Sequence, residues 1–236
     1  MFDGCENLSK IKLSSQTRTI GYKAFANCKS LNNIYLPDSV LYINESAFKG
    51  ASINEIYLPS RLQTLGPNAF AECKNLTKIT IPSKITVLQY GLFDGCSNLE
   101  EVILSNVKTL DSFVFRGCEK LSILDTSNIT TMKDFIFGSC SSLSEFIIGG
   151  TDNVLFDDNS FETSGFTSLN LIVDNETVAN NFIQNSSYGY VLALTTCNTV
   201  YINSTFDVSN STYLLENFTK QSTSDKSGYD MYVKNN

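Results

Sequence analysis

One block recurs along the chain at a nearly fixed interval: Phe-x-x-Cys-x-x-Leu-x-x-Ile-x-Leu. Its phenylalanines fall at Phe2, Phe25, Phe48, Phe70, Phe93, Phe115 and Phe137, each 22 or 23 residues after the last. The leucine position follows in step, as Leu8, Leu31, Ile53, Leu76, Leu99, Leu121 and Leu143. A period of this length is the signature of a solenoid, because a coil of 22 residues cannot bury its own apolar side and must stack on a like neighbour. Seven copies predict one column of phenylalanines and another of leucines.

A second pattern recurs between the blocks: Val40-x-x-Ile43, Leu62-x-x-Leu65, Ile85-x-x-Leu88, Val107-x-x-Leu110 and Ile129-x-x-Met132. Each unit therefore holds two extended segments and a tight corner. The Leu-x-x-Ile-x-Leu segment alternates at its end as a short half-buried strand does, and stacked copies pair in a parallel sheet with strands roughly 4.8 Å apart. Pro37, Pro59 and Pro82 sit just past that strand, where a missing amide does no harm. The Ala-Phe-x-x-Cys stretch reads as one helical turn, too short to stand alone. Copies six and seven lack the proline, which leaves their local turn open.

These motifs, over residues 2–148, resemble leucine-rich repeats of the BspA type, the Treponema pallidum-like class. The resemblance implies a β-rich leucine-rich-repeat solenoid: a curved right-handed coil with a parallel sheet on its concave face and short helical turns at the corners. It also implies a cell-surface or extracellular location and adhesion to, or binding of, host or matrix proteins. Residues 1–173 are assigned to the solenoid, with 149–173 a decayed eighth coil, and 174–236 to a C-terminal cap or flanking region. Within the latter, Asp174 is placed to cap a short helix carrying Val178, Phe182 and Ile183, and 190–194 and 200–202 read as strands. The Ser/Thr/Asn-rich stretch 204–236 reads as extra strands on the cap or a partly disordered tail. Phe2 already lies inside a repeat, so the chain reads as an excised fragment, and its lack of a signal peptide says nothing about secretion.

Chemistry is constrained by what is missing. The chain has no histidine among its 236 residues, which removes histidine dyads, triads and metal ligands. A formal charge of −7 argues against binding a phosphate backbone. No apolar run approaches the roughly 20 residues of a spanning helix, so no direct membrane insertion is expected. Six of the seven cysteines occupy one repeat position, at Cys5, Cys28, Cys73, Cys96, Cys118 and Cys140, and none forms a Cys-x-x-Cys pair. Buried small apolar side chains are the simpler reading, since Ala51 stands in their place in copy three; disulfides between adjacent coils are the alternative. Asp152, Asp157 and Asp158 match no calcium loop, a solvated loop being the plainer reading. Glu100 and Glu101 are adjacent on a strand and face opposite sides, so they make no acid–base pair. No catalytic residue, metal site or cofactor is expected.

The candidate site is a row of outward strand positions: Lys12, Tyr35, Tyr57, Thr80, Ile103, Asp125 and Ile147. Tyrosine and isoleucine there stand where solvent favours polar groups, and exposed apolar side chains mark contact surfaces. β-propensity alone accounts for the same residue types. Two functions compete on this evidence. One is a non-enzymatic surface module that binds a protein, host or extracellular-matrix, along this ridge. The other is a structural spacer with no ligand of its own. An enzyme built from residues 174–236 lacks any recognisable nucleophile.

Overall fold

The structure is a computed structural model that describes residues 1–149, 155–156, 170–174, 199–204 and 218–235. Its strands in chain order are β1 (Thr19–Ile20), β2 (Tyr42–Ile43), β3 (Thr64–Leu65), β4 (Lys78–Ile81), β5 (Val87–Leu88), β6 (Glu101–Leu104), β7 (Thr109–Leu110), β8 (Ile123–Asp125), β9 (Thr131–Met132), β10 (Glu145–Gly149), β11 (Leu155–Phe156), β12 (Asn170–Asp174), β13 (Thr199–Asn203), β14 (Phe218–Lys220) and β15 (Tyr229–Lys234). Two walls of strands run along the stack. One is built from the Ile-x-Leu segments, with Asn33, Glu55 and Lys78 joined by successive parallel bridges, β4 on β6, and a sheet in the order β14-β15-β13-β12-β10-β8. The other comes from the second pattern, as the sheets β1-β2-β3 and β11-β9-β7-β5. All coil-to-coil strand pairs are parallel.

Between the walls lies the core the repeat predicts. The rings of Phe2, Phe25, Phe48, Phe70, Phe93, Phe115 and Phe137 form one continuous file, with centroids 5.4–6.3 Å apart and interplanar angles of 4–13°. Leu31, Ile53, Leu76, Leu99, Leu121 and Leu143 form a second buried column. The inward residues of the other wall align in register, Ile20 with Ile43 and Leu65, and Leu88 with Leu110 and Met132. Burying one such phenylalanine contributes roughly 1.5–3 kcal/mol.

The corners are not helical turns, and no helix occurs among the described residues. An α-turn would send successive amides back along the same coil. Here they alternate instead. The amides of Ala24, Ala26 and Cys28 bond three residues back, while those of Lys23, Phe25 and Asn27 reach the carbonyls of Glu45, Ala47 and Lys49 on the next coil. This alternation requires a left-handed residue on each side of the phenylalanine. Two places before it stand Lys23, Ser46, Asn68, Gly91, Phe113 and Phe135; two places after it stand Gly4, Asn27, Gly50, Glu72, Gly95, Gly117 and Ser139, all with φ between 50° and 74°. Glycine and asparagine fill these positions at little cost, and a bulky residue there is strained. The corner therefore belongs to the stack and has no independent helical character.

The missing proline in copy six changes nothing locally. Pro37, Pro59 and Pro82 each accept a bond from the amide three residues on, and Thr126 does the same for Ile129. Its hydroxyl also donates to the carbonyl of Ile147 on the following coil.

Past copy seven, β12 pairs with β10 and β13 with β12, both parallel and in register. β15 then reverses direction and pairs antiparallel with β13 and β14. The expected strand at 200–202, the end of the decayed coil as β12 and the apolar stretch 229–233 thus join one sheet. The expected helix after Asp174, the strand at 190–194 and the aspartates at 152, 157 and 158 lie outside the described residues. Among the described residues, no helix is long and apolar enough to cross a membrane.

Candidate functional site

Alternation along the strands sets the site. β4 reads exposed, buried, exposed, buried, and β6 and β8 begin in the same phase. Ile79, Val102 and Leu124 turn into the core, so the residues flanking them face outward. The register then fixes the row. Thr80 lies opposite Ile103, and Asp125 opposite Ile147. The Asn33–Glu55–Lys78 bridges place Tyr35 beside Tyr57 and Tyr57 beside Thr80. Lys12 is exposed at the first coil, whose corner is bonded to the second by Phe2 N–H to Ala24 O and Gly4 N–H to Ala26 O.

The row is a physical ridge. Tyr35 and Tyr57 are 77% and 82% exposed, more than a strand tyrosine flanked by packed neighbours would be, and Ile103 is 40% exposed. Thr80 and Asp125 are exposed and Ile147 half-buried. Among the described residues, three shallow grooves abut it. One of about 410 Å³ lies beside Lys12 and Tyr35. Another of about 420 Å³ is lined by Glu55, Tyr57, Lys78 and Thr80. The third, about 590 Å³, lies between Ile103, Ile123 and Asp125. Charge along the ridge is mixed: Lys78 pairs with Glu101 at 2.7 Å on the neighbouring strand. That pair is half exposed, so it orients side chains more than it stabilises the fold.

Among the described residues, no three His, Cys, Asp or Glu side chains cluster as metal ligands would. Cys28, Cys73, Cys96, Cys118 and Cys140 are buried, unbridged thiols, and Cys5 is exposed. Each buried one lies 3.0–3.3 Å from a carbonyl oxygen of an earlier coil: Cys28 on Phe2, Cys73 on Phe48, Cys96 on Phe70, Cys118 on Phe93 and Cys140 on Phe115. Burial pushes the Cys73 and Cys140 thiols up to about 12 and those of Cys96 and Cys118 well above their ordinary value. They are neutral at pH 7 and poor nucleophiles.

Two features of the surface escaped the sequence reading. At the corners, Tyr90, Phe113 and Phe135 form a short outer file, with centroids 5.3 Å apart at each step. Arg116 covers Phe113 at 4.7 Å and pairs with Asp94. The left-handed Phe113 and Phe135 mark this file, but nothing in the repeat motif separates them from filler. Further along the ridge, Ile172 and Tyr201 continue the row beyond Ile147. Both are buried, which the outward phase of the row does not predict.

The family model described as the BspA type leucine rich repeat region matches the chain in six copies, over residues 1–122 and 67–189. The fold is similar to that of a leucine-rich repeat protein from Bacteroides ovatus ATCC 8483, at 24% identity and a TM-score of 0.62, over 74% of this chain and 51% of that one. A leucine-rich repeat protein from Eubacterium ventriosum ATCC 27560 is similar at 27% identity and a TM-score of 0.59, over 66% of this chain and 42% of that one. The chain thus spans about half the length of these two proteins or less. No curated protein matches the sequence.

Proposed function

We propose that this chain, which belongs to the BspA-type leucine-rich repeat family, is a non-enzymatic recognition module that binds a protein through the outward ridge of its sheet. The proposal includes a cell-surface or extracellular setting and a partner on a host cell or in extracellular matrix. The observation that carries it is the pair Tyr35 and Tyr57, adjacent in register and about four-fifths exposed. Exposed tyrosines on a rigid backbone supply contact area at small entropic cost, and tyrosine is enriched at binding hot spots. Residues from successive coils add to one elongated surface, with Ile103 and Ile147 as further apolar contacts and Lys12, Thr80 and Asp125 setting charge and hydrogen-bond match.

The test is binding of the purified chain to a panel of immobilised extracellular-matrix proteins, with the Tyr35→Ala/Tyr57→Ala double variant beside it. Loss of two hot-spot rings is expected to weaken any specific binding about tenfold or more. The unfolding midpoint is expected to stay put, because neither ring enters the core. Equal binding by both proteins removes the ridge as the contact surface; no binding to any member of the panel favours a spacer.

A further inference from the structure

We infer that the segment 221–228, between β14 and β15, is a strap laid over the far end of the outward ridge, and that it lifts to uncover Ile172 and Tyr201. The register carries the first half of the argument. Tyr35, Tyr57, Thr80, Ile103, Asp125, Ile147, Ile172 and Tyr201 hold one and the same position on successive coils. The first two tyrosines are 77% and 82% exposed; Tyr201, the same residue type in the same row, is 4% exposed, and Ile172 is 6% exposed. Lys226 reaches over this end of the row. Its ammonium lies 5.3 Å from the centre of the Tyr201 ring on β13 and 2.7 Å from a Glu145 carboxylate oxygen on β10. β12, with Ile172, lies between those two strands. A side chain that touches both must cross it. Burial first, and then the Asp225 carboxylate next in the segment, raise the Tyr201 hydroxyl above its ordinary pKa.

Composition carries the second half. The segment reads Gln-Ser-Thr-Ser-Asp-Lys-Ser-Gly and contains no apolar residue. It covers an isoleucine and a tyrosine, yet apart from the aliphatic stem of Lys226 it buries nothing apolar of its own. Among the described residues its hold on the face is an ion pair and a cation–ring contact, both at the solvent boundary, where such contacts are weak and salt-sensitive. Among the described residues its backbone is tied to the sheet by Gln221 N–H to Met231 O, Tyr229 N–H to Lys226 O and Ser204 to the Gly228 carbonyl, while within the loop the Ser224 hydroxyl bridges the Lys226 amide and carbonyl. A polar segment tied down at both ends over an apolar floor is the kind of element that opens locally while the sheet beneath stays intact. The floor it leaves takes an apolar side chain. Lifting extends the ridge by two coils, a consequence that matters for binding only if the ridge binds as proposed; the lifting itself does not depend on that reading.

Hydroxyl-radical footprinting of the whole chain, read tyrosine by tyrosine by mass spectrometry, tests it without any ligand. Tyr57 serves as the open reference and Tyr232, buried on the core side of β15, as the control for unfolding. In the native protein Tyr201 is expected to react at least tenfold more slowly than Tyr57. In Lys226→Ala its rate is expected to rise at least fivefold with Tyr232 unchanged. The native protein in 1 M sodium chloride is expected to shift the same way, and this arm decides if the variant fails to fold. An unchanged Tyr201 rate, or Tyr201 and Tyr232 rising together, overturns the strap: the first shows a fixed cover, the second an unravelling of the terminal strands.

Discussion

Raising the pH should unfold this protein through its thiols, and Cys73 allows the size of the effect to be worked out. Its side chain is fully buried, 3.1 Å from the Phe48 carbonyl, and burial pushes its pKa from 9.0 to about 12. Below pH 9 the thiol is neutral in both folded and unfolded chains and its contribution to stability is intact. Between pH 9 and pH 12 the unfolded chain gives up the proton while the folded one holds it, so stability falls as pH rises. One such thiol costs about 1.4 kcal/mol by pH 10 and about 2.7 kcal/mol by pH 11. Cys73→Ala isolates the effect, because every other titratable side chain is common to both proteins. Ala51 occupies the equivalent place one coil earlier and is equally buried, so alanine fits. At pH 8 the variant should be less stable by about 1–2 kcal/mol, from lost sulfur packing and the lost thiol–carbonyl bond. The gap should close near pH 10 and reverse above it. Urea unfolding followed by far-ultraviolet circular dichroism in a reducing buffer, from pH 8 to pH 11, measures the crossing. A stability difference that stays constant over that range would show that the thiol is not held neutral by burial and would refute the reasoning.

Two stability comparisons follow from the stack. Phe70→Ala removes a fully buried ring stacked on both sides and should cost about 3–5 kcal/mol, whereas Phe2→Ala removes a half-buried ring with one stacked neighbour and should cost less than half as much; equal losses in urea unfolding would mean the file is not a continuous core. Gly66→Ala would place a Cβ 2.5 Å from the Glu45 amide nitrogen and 2.7 Å from the Asn44 carbonyl carbon, and should cost about 1–3 kcal/mol, while Gly21→Ala, four residues before its own phenylalanine in the same way, meets open space and should be near neutral. Thermal unfolding of the two variants side by side checks that contrast.

The stack itself was legible because stacking forces like residues into register: the spacing of Phe25, Phe48 and Phe70 already contains their ring file, and the phase of Ile79 and Val102 already contains the outward row. The corners were misread because Ala-Phe-x-x-Cys has the apolar spacing of a helical turn. The correcting signal was there, in glycine or asparagine at positions 4, 27, 50, 68, 91, 95 and 117, two residues either side of the phenylalanines. The thiol–carbonyl contacts were not legible, since alanine and cysteine share a hydrophobic pattern and only geometry tells a donor from filler. The burial of Tyr201 was hidden for another reason. Lys226 meets Glu145 across 81 positions of chain, and no local period reports a contact of that kind.

Because each thiol and each corner amide addresses the neighbouring coil by rank and not by identity, the array is modular in length. Excising residues 70–92 would bring Phe93 onto Phe48, and the Cys96 thiol onto the carbonyl that Cys73 now uses, at the loss of two exposed ion pairs, Lys49–Glu72 and Lys78–Glu101. Whole cassettes can thus be lost or duplicated by recombination with the ring file and the thiol ladder kept, so that the length of the ridge can change in one genetic step while its cross-section is preserved.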